Sequence, residues 1–230
     1  MERDLEFREG EANVLMDLYS REIATFGIQT MKDISTLTIL IIGLKGVGIE
    51  TAKNVILSGV GSVTLYDNGE VGFSDLGTNF YLNETQLGCK RSESVVKHLR
   101  ELNPMVQVST YTGDLSNDFI DNFGCVVITD HLPLDLLKQI NTFTHHRKSK
   151  DGDNAPIVFL LGLTNGLMAS VFSDFGPCHI VTDIDGEAPV VNIIEDITVV
   201  KGKEEKPYLI IKVTSNHHRL ENDSIVEISG

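Results

Sequence analysis

Residues 37–67 read LTILIIGLKGVGIETAKNVILSGVGSVTLYD, and this stretch decides the fold. Residues 38–42 are apolar on both faces, as the buried central strand of a parallel sheet requires. A glycine-rich turn follows, and the pattern then predicts a helix over 49–58 and a second strand over 61–66. A strand, a glycine turn, a helix and a strand open the Rossmann-like sheets that bind nucleotides. The sequence therefore predicts an α/β fold, with a mostly parallel sheet and flanking helices.

The glycine turn carries two of the three glycines of the dinucleotide pattern G-x-G-x-x-G. Gly43 and Gly48 hold the first and third places, but Lys45 holds the second, where a side chain crowds the surface that a phosphate approaches. The charge of Lys45 could attract a phosphate, and Asp67 stands where an NAD-binding domain keeps the acid that contacts the ribose. The turn thus predicts the fold and leaves nucleotide binding as a weaker hypothesis.

Further strands and helices follow at the spacing of an α/β domain. The patterns predict a loop over 69–80, helices over 83–87, 92–102 and 134–144, strands over 106–111, 125–129 and 156–163, and closing antiparallel strands over 167–176 and 178–183. Beyond residue 183 come a turn-rich connection and a charged linker over 201–207. Two short strands are predicted after them, at 208–213 and 224–229, and these are too few to bury a core. We therefore expect the chain to stop inside a second, small β-rich domain.

Composition limits the class of function. With 230 residues, 41% of them apolar, the chain can bury a substantial core, and its formal charge of −14 argues against nucleic acid as a partner. No apolar run is long enough to span a membrane and the charged first residues form no secretory signal, so we expect a cytoplasmic and nuclear protein. Three cysteines without a CxxC pair are interpreted as small buried residues, and the isolated pair His145–His146 predicts no metal site.

Residues 19–31, YSREIATFGIQTM, carry apolar positions at helical spacing, after a short helix that is predicted from about residue 11. Ile23, Phe26 and Ile28 are predicted to face a core, and Gly27 to break or cap the helix. Arg21 has no acidic residue four positions further on, so composition alone makes it a solvated surface arginine. The basic pair Lys90–Arg91 is likewise interpreted as a solvated helix end.

Several segments together resemble the N-terminal part of a ubiquitin-activating enzyme, the E1 family. They are YSRE, the glycine-turn stretch, DLGTNFYL, GCKRSESVVKHLRELNP, VVITD, GEAPVVNI and HHRLENDSIVEISG. The resemblance implies the Rossmann-like fold of the ThiF, MoeB and E1 proteins. It also implies an N-terminal extension at 1–18, an inactive adenylation domain at 19–195, and an incomplete first catalytic-cysteine half-domain at 196–230.

E1 enzymes adenylate the C-terminal glycine of ubiquitin with Mg-ATP and then hold ubiquitin as a thioester on a cysteine. Two adenylation-type halves pair face to face, and in the ubiquitin enzyme only the second half is competent. The resemblance therefore implies ATP and Mg²⁺ as cofactors of the whole enzyme. Its implied partners are the competent half, ubiquitin and E2 conjugating enzymes.

Departures from the competent pattern imply that this half is catalytically silent. Where a competent half reads D-x-D-x-I-E-x-S-N-L-N-R-Q-F, this chain reads DNGEVGFSDLGTNF. Asp67 keeps the first acid, but Gly69 replaces the second and Thr78 replaces the arginine. Arg91 aligns with a phosphate-binding lysine, and Asp130 matches an aspartate that supports Mg²⁺. Adenylation needs cations where negative charge builds, so we expect no catalytic residue, no metal site and no bound nucleotide in this chain.

Arg21 matches the arginine of the family's YSRQ segment, although Glu22 replaces the glutamine. The resemblance implies that Arg21 reaches, in trans, the terminal phosphates of ATP in the competent half, a role that suits a planar, permanently charged guanidinium. Two alternatives stay open. One is a complete regulatory subunit of a heterodimeric E1 of the SUMO or NEDD8 type; the other is an NAD-dependent oxidoreductase, which rests on the glycine turn alone.

Overall fold

The chain divides into two units, of which the first ends at His179 and the second follows it. The computed structural model describes residues 18–147, 156–179, 192–200, 208–214, 226 and 228. The helix predicted from about residue 11 lies outside the described residues. The strands predicted over 178–183 and 224–229 lie outside them except for two residues each.

A six-stranded sheet forms the centre of the first unit. Its strands are β1 (Thr38–Ile42), β2 (Ser62–Tyr66), β3 (Gln107–Tyr111), β4 (Cys125–Ile128), β5 (Val158–Asn165) and β6 (Met168–Asp174). The spatial order is β3-β2-β1-β4-β5-β6, with β1 to β5 parallel and β6 antiparallel at the edge. The predicted α/β, Rossmann-like fold is confirmed, because this is its strand order.

Helices connect and cover these strands. They are α1 (Ser20–Phe26), α2 (Ile28–Thr36), α3 (Gly46–Leu57), α4 (Phe73–Leu76), α5 (Arg91–Leu102), α6 (Asn117–Ile120) and α7 (Leu134–His145). The helix α3 begins three residues earlier than predicted, inside the glycine turn. The segment predicted as a helix over 83–87 is a single 3-10 turn at Glu84–Gln86, and the predicted loop over 69–80 contains α4.

Two apolar clusters hold the sheet between its helices. Successive residues of β1 alternate between them: Ile41 packs in the cluster of α3 and α5, whereas Leu40 and Ile42 pack with α6 and α7. Cys125 lies at the edge of the first cluster, and burial raises the pKa of its thiol to about 11. The interpretation of the cysteines as buried is wrong for the other two, which are exposed.

Residues 19–36, which precede β1, do not bury the side chains that were predicted to face a core. Gly27 ends α1 with φ +83° and α2 begins directly after it, as a break at Gly27 requires. Phe26 and Ile28 flank this break and are 59% and 49% exposed, so the prediction that they face a core is wrong. The segment is held instead by Tyr19, which is buried and whose hydroxyl accepts a hydrogen bond from Asn103 Nδ2 at 2.6 Å.

The second unit contains an antiparallel pair of strands. The strand β8 (Tyr208–Val213) was predicted and is confirmed, whereas β7 (Ile194–Val200) was not predicted. The predicted domain boundary at 195/196 falls inside β7, and as a domain boundary it stays a prediction. In the parts of the chain that the structure describes, no helix is long and apolar enough to cross a membrane.

Candidate functional site at the carboxyl ends of the central strands

The candidate site is the crevice at the carboxyl ends of β1, β2 and β4. Ligands of open α/β sheets bind outside these strand ends, where the strand order reverses, and here it reverses between β1 and β4. The turn 43–48 follows β1, Asp67 follows β2, and Asp130 follows β4 by two residues. The fold therefore brings together the residues that the sequence pattern singled out.

Packing of the turn requires glycine at both of the predicted positions. Gly43 has φ +93°, and a Cβ there would lie 2.6 Å from the Cβ of Asp130. A Cβ at Gly48 would lie 2.0 Å from the carbonyl oxygen of Gly43, because α3 starts directly against the end of β1. Both residues are thus needed for the local backbone path, whether or not a ligand binds.

Lys45 turns toward the crevice and forms an ion pair there. Its Nζ donates to Asp130 Oδ1 at 3.0 Å, and the same carboxylate oxygen accepts from the backbone N–H of His131 at 2.8 Å. Partial burial alone would raise the pKa of Asp130, but these hydrogen bonds and the charges of Lys45 and Arg91 hold it below its usual value. The Asp130 carboxylate therefore stays ionised, with a cation from its own chain beside it.

The carboxylate of Asp67 is buried and fully used inside the protein. Its Oδ1 accepts from the Gly69 N–H at 2.8 Å and from Arg91 Nη1 at 2.7 Å. Its Oδ2 accepts from the Leu44 N–H and from the same Nη1, both at 2.8 Å. A carboxylate offers about four acceptor positions, so Asp67 has none left for a ribose hydroxyl.

Arg91 is the centre of this network. Its Nε and Nη2 donate to Asp75 Oδ2 at 3.2 and 3.1 Å, Nη2 also donates to the Glu70 carbonyl oxygen at 2.9 Å, and Nη1 makes the two bonds to Asp67. A guanidinium has five N–H donors, and these five bonds use all of them. Burial works against the charge, but the bonds to Asp67 and Asp75 raise the pKa of Arg91 above its ordinary value.

The interpretation of Arg91 as a solvated helix end is therefore wrong. Its side chain is 7% exposed, and those of Asp67 and Asp75 are 5% and 7% exposed. The sequence pattern did not identify Asp75 as a partner of Arg91. The available signal was that Asp75 and Arg91 both stand at positions where this chain departs from the competent pattern, Asp75 in place of an asparagine and Arg91 in place of a lysine.

ATP and Mg²⁺, the cofactors that the family resemblance implies, do not fit this crevice. Asp67 lacks a free acceptor, Arg91 lacks a free donor, and Lys45 already neutralises Asp130. Within the described residues, no group of three or more histidine, cysteine, aspartate or glutamate side chains is arranged to hold a metal ion.

Arg21, the predicted ligand of ATP in trans, lies away from this crevice. It is exposed in the first turn of α1, and within the described ranges its guanidinium has no hydrogen-bond or ion-pair partner. Tyr19, two residues before it, contacts Gly59 at the carboxyl end of α3, whereas the glycine turn is at the amino end. A 12-residue helix is about 18 Å long. The structure therefore does not bring Arg21 together with the turn, and its role stays a prediction.

Comparison with known proteins identifies the family of this chain. The model of the ThiF family matches residues 19–141, just over half of the chain, and the chain belongs to this family. An E. coli protein of known structure, MccB with succinimide, superposes with a TM-score of 0.59 and 15% identity, covering 74% of this chain and 57% of that one. At this identity the likeness shows the fold alone.

The most similar curated proteins include ubiquitin-activating enzymes, and this chain matches a fragment of them. The chain is 38% identical to "Ubiquitin-activating enzyme E1 1" of Triticum aestivum over 93% of its own length. It is 36% identical to "Ubiquitin-like modifier-activating enzyme 1" of Homo sapiens over 95% of its length. It spans about a fifth of each relative, 19% in both cases. The resemblance to the E1 family is thereby confirmed, as a match to a fragment of an E1.

Proposed function

We propose that this chain is the silent adenylation half of a ubiquitin-activating enzyme, which pairs with a competent half and contributes Arg21 to the ATP site of that half. The competent half binds ATP and Mg²⁺, and the whole enzyme acts on ubiquitin and passes it to E2 conjugating enzymes in the cytoplasm and nucleus. The observation that carries the proposal is the Asp67–Arg91–Asp75 network, combined with 35–38% identity to E1 relatives.

The electrostatics of the crevice support a silent role. Attack of a carboxylate on the α-phosphate of ATP brings two anions together, so the site must offer cations to the developing charge. Here the guanidinium of Arg91 and the ammonium of Lys45 are each committed to an aspartate of the same chain. A phosphate would have to break the buried pairs of Arg91 to reach that guanidinium, and it would have to share the exposed ammonium of Lys45 with Asp130.

Exposed aromatic side chains support pairing with another domain. Phe73 begins the short helix α4 that carries Asp75, Phe80 follows this helix by four residues, and the two side chains are 78% and 92% exposed. Large exposed aromatic residues are typical of protein interfaces. Their position at this helix favours an interface on the side of the crevice. The regulatory-subunit alternative is not favoured, because the E1 relatives match the chain over nearly its whole length.

The first experiment is ATP–pyrophosphate exchange with ubiquitin, measured on residues 1–230 alone and on a complete E1 that contains this chain. We expect exchange only with the complete enzyme. Exchange by the isolated chain would refute the proposal, since the chain would then have a working ATP site of its own.

The second experiment places Arg21→Ala in the complete enzyme, with Lys32→Ala as the control. Lys32 is an exposed cation on the neighbouring helix α2, with no ion pair among the described residues. Removing one charged hydrogen-bond partner of ATP costs about 1.5–3 kcal/mol, so we expect a roughly 10- to 100-fold loss in kcat/KM for ATP. Arg21→Ala kinetics equal to those of the control would refute the role of Arg21 and leave the silent crevice untouched.

A further inference from the structure

We propose that Arg91 and Gly69 are a coupled pair: the Arg91 guanidinium is a permanent counter-ion between Asp67 and Asp75, and Gly69 leaves the room that this guanidinium needs. The inference deepens the proposed function, and it rests on the silent role only for the statement that this guanidinium is withdrawn from ligand binding. Its geometric part stands on the contacts of three side chains.

The guanidinium joins three segments of the chain. Asp67 follows β2, Asp75 lies in α4, and Arg91 begins α5, so the four bonds from Arg91 to the two aspartates tie these segments together, and a fifth bond reaches the Glu70 carbonyl oxygen. Two buried carboxylates side by side repel one another unless a cation lies between them. Arg91 provides this cation from within the chain, and the crevice keeps its shape without a bound ion.

Gly69 lies against the guanidinium with no space for a side chain. A Cβ at this position would lie 2.6 Å from Arg91 Nη1 and 3.0 Å from Asp67 Oδ1. The end of an arginine side chain usually gives way easily, but this one is buried and fixed by five hydrogen bonds. An acidic side chain at position 69 is therefore incompatible with the guanidinium in its present place. In this chain the lack of a side chain at position 69 and the buried position of the Arg91 guanidinium therefore depend on one another.

A double-mutant cycle in the 230-residue chain tests the coupling. Gly69→Ala is measured by urea unfolding in the wild-type background and in an Arg91→Lys background, and Gly77→Ala is the matched control. A Cβ at Gly77 would meet nothing closer than the Ser74 carbonyl oxygen at 3.8 Å, an ordinary contact. We expect Gly69→Ala to lower the urea midpoint strongly in the wild type and much less with Arg91→Lys, because a lysine has no Nη1 atom. Gly77→Ala should have the same small effect in both backgrounds.

Equal losses for Gly69→Ala in both backgrounds would overturn the proposal. If Arg91→Lys does not fold, nitrogen-15 NMR of the arginine side chains decides with the single variants. The Nε–H signal of Arg91 should be protected from exchange with water in the wild type and in Gly77→Ala, and lose protection in Gly69→Ala. An unchanged signal in Gly69→Ala would equally overturn the proposal. Neither result depends on the pyrophosphate-exchange assay, so failure of the coupling and failure of the proposed function can be told apart.

Discussion

Tyr19 is the anchor of the segment that carries Arg21, and Tyr19→Phe should loosen it. The helix α1 buries none of its own residues, so its position depends on the residue that precedes it. The ring of Tyr19 lies in a notch at Gly59, where φ is +81° and a Cβ would come within 2.5 Å of the tyrosine oxygen. The hydroxyl accepts from Asn103 Nδ2, which also donates to the Ile56 carbonyl oxygen at 3.0 Å.

The size of the effect follows from what Asn103 loses. Asn103 is buried, and the phenylalanine leaves one of its two amide N–H donors without an acceptor. An unsatisfied buried donor costs about 1–3 kcal/mol of the free energy of unfolding. A chain of this size loses about 2–4 °C in Tm per kcal/mol, so the midpoint should fall by roughly 2–12 °C.

Thermal unfolding followed by circular dichroism measures this shift, and hydrogen exchange of the α1 amides measures the local loosening. Tyr208→Phe is the control, because Tyr208 is half-exposed on β8 and makes no side-chain hydrogen bond among the described residues. A Tyr19→Phe protein with the Tm and the α1 protection of wild type would show that the hydroxyl bond does not anchor the segment.

Three further predictions concern the crevice and the core. Gly48→Ala should lower the free energy of unfolding by at least about 1–3 kcal/mol, because the added Cβ meets a backbone carbonyl oxygen. Gly162→Ala is the control: a Cβ there has no neighbour within 4 Å, so the free energy of unfolding should change by less than about 0.5 kcal/mol. Urea unfolding measures both variants. The folded-state pKa of Asp130 is lowered, so its ionised form stabilises the fold above its unfolded pKa of about 3.9, and this contribution is lost as pH falls through the folded pKa. Lys45→Met removes a hydrogen bond and a charge that lower the pKa of Asp130, so the acid-unfolding midpoint should move to higher pH. In an Asp130→Asn background the same substitution should leave the midpoint unchanged. The Cys125 thiol, with its pKa raised to about 11, should react with Ellman's reagent at pH 8 only after unfolding, while the other two cysteines react in the native protein.

Local patterns were enough to predict the centre of the sheet. The apolar run of β1 and the glycines on either side of α3 act over a few residues, so the strand, turn and helix could be read in order. The strand β7 was missed because Glu195 and Asp196 interrupt its apolar residues and most of its side chains are exposed. A two-stranded ribbon has little burial to impose an alternating pattern on its sequence.

The candidate site could be located from the sequence, but its internal contacts could not. Arg91 follows Lys90 directly, and such a basic pair is usually solvated. Its burial depends on Asp75 and Asp67, which lie 16 and 24 residues earlier in the chain. No local window contains these three residues, and the steric demand on Gly69 appears only when the guanidinium is in place. Comparison with the competent pattern showed which positions differ but not that the residues at these positions contact one another.

The two cations that matter for the proposed function differ in what they are free to do. All five N–H donors of Arg91 are hydrogen-bonded within this chain. The guanidinium of Arg21, in contrast, has no partner among the described residues. A buried, saturated guanidinium stabilises a fold and binds nothing more, while an exposed one on an anchored helix can meet a phosphate of another domain at little desolvation cost. Removal of Arg21 and removal of Arg91 should therefore have different effects. Loss of Arg21 should leave the fold of this chain intact and impair only the paired enzyme, whereas loss of Arg91 should first be seen as loss of the fold.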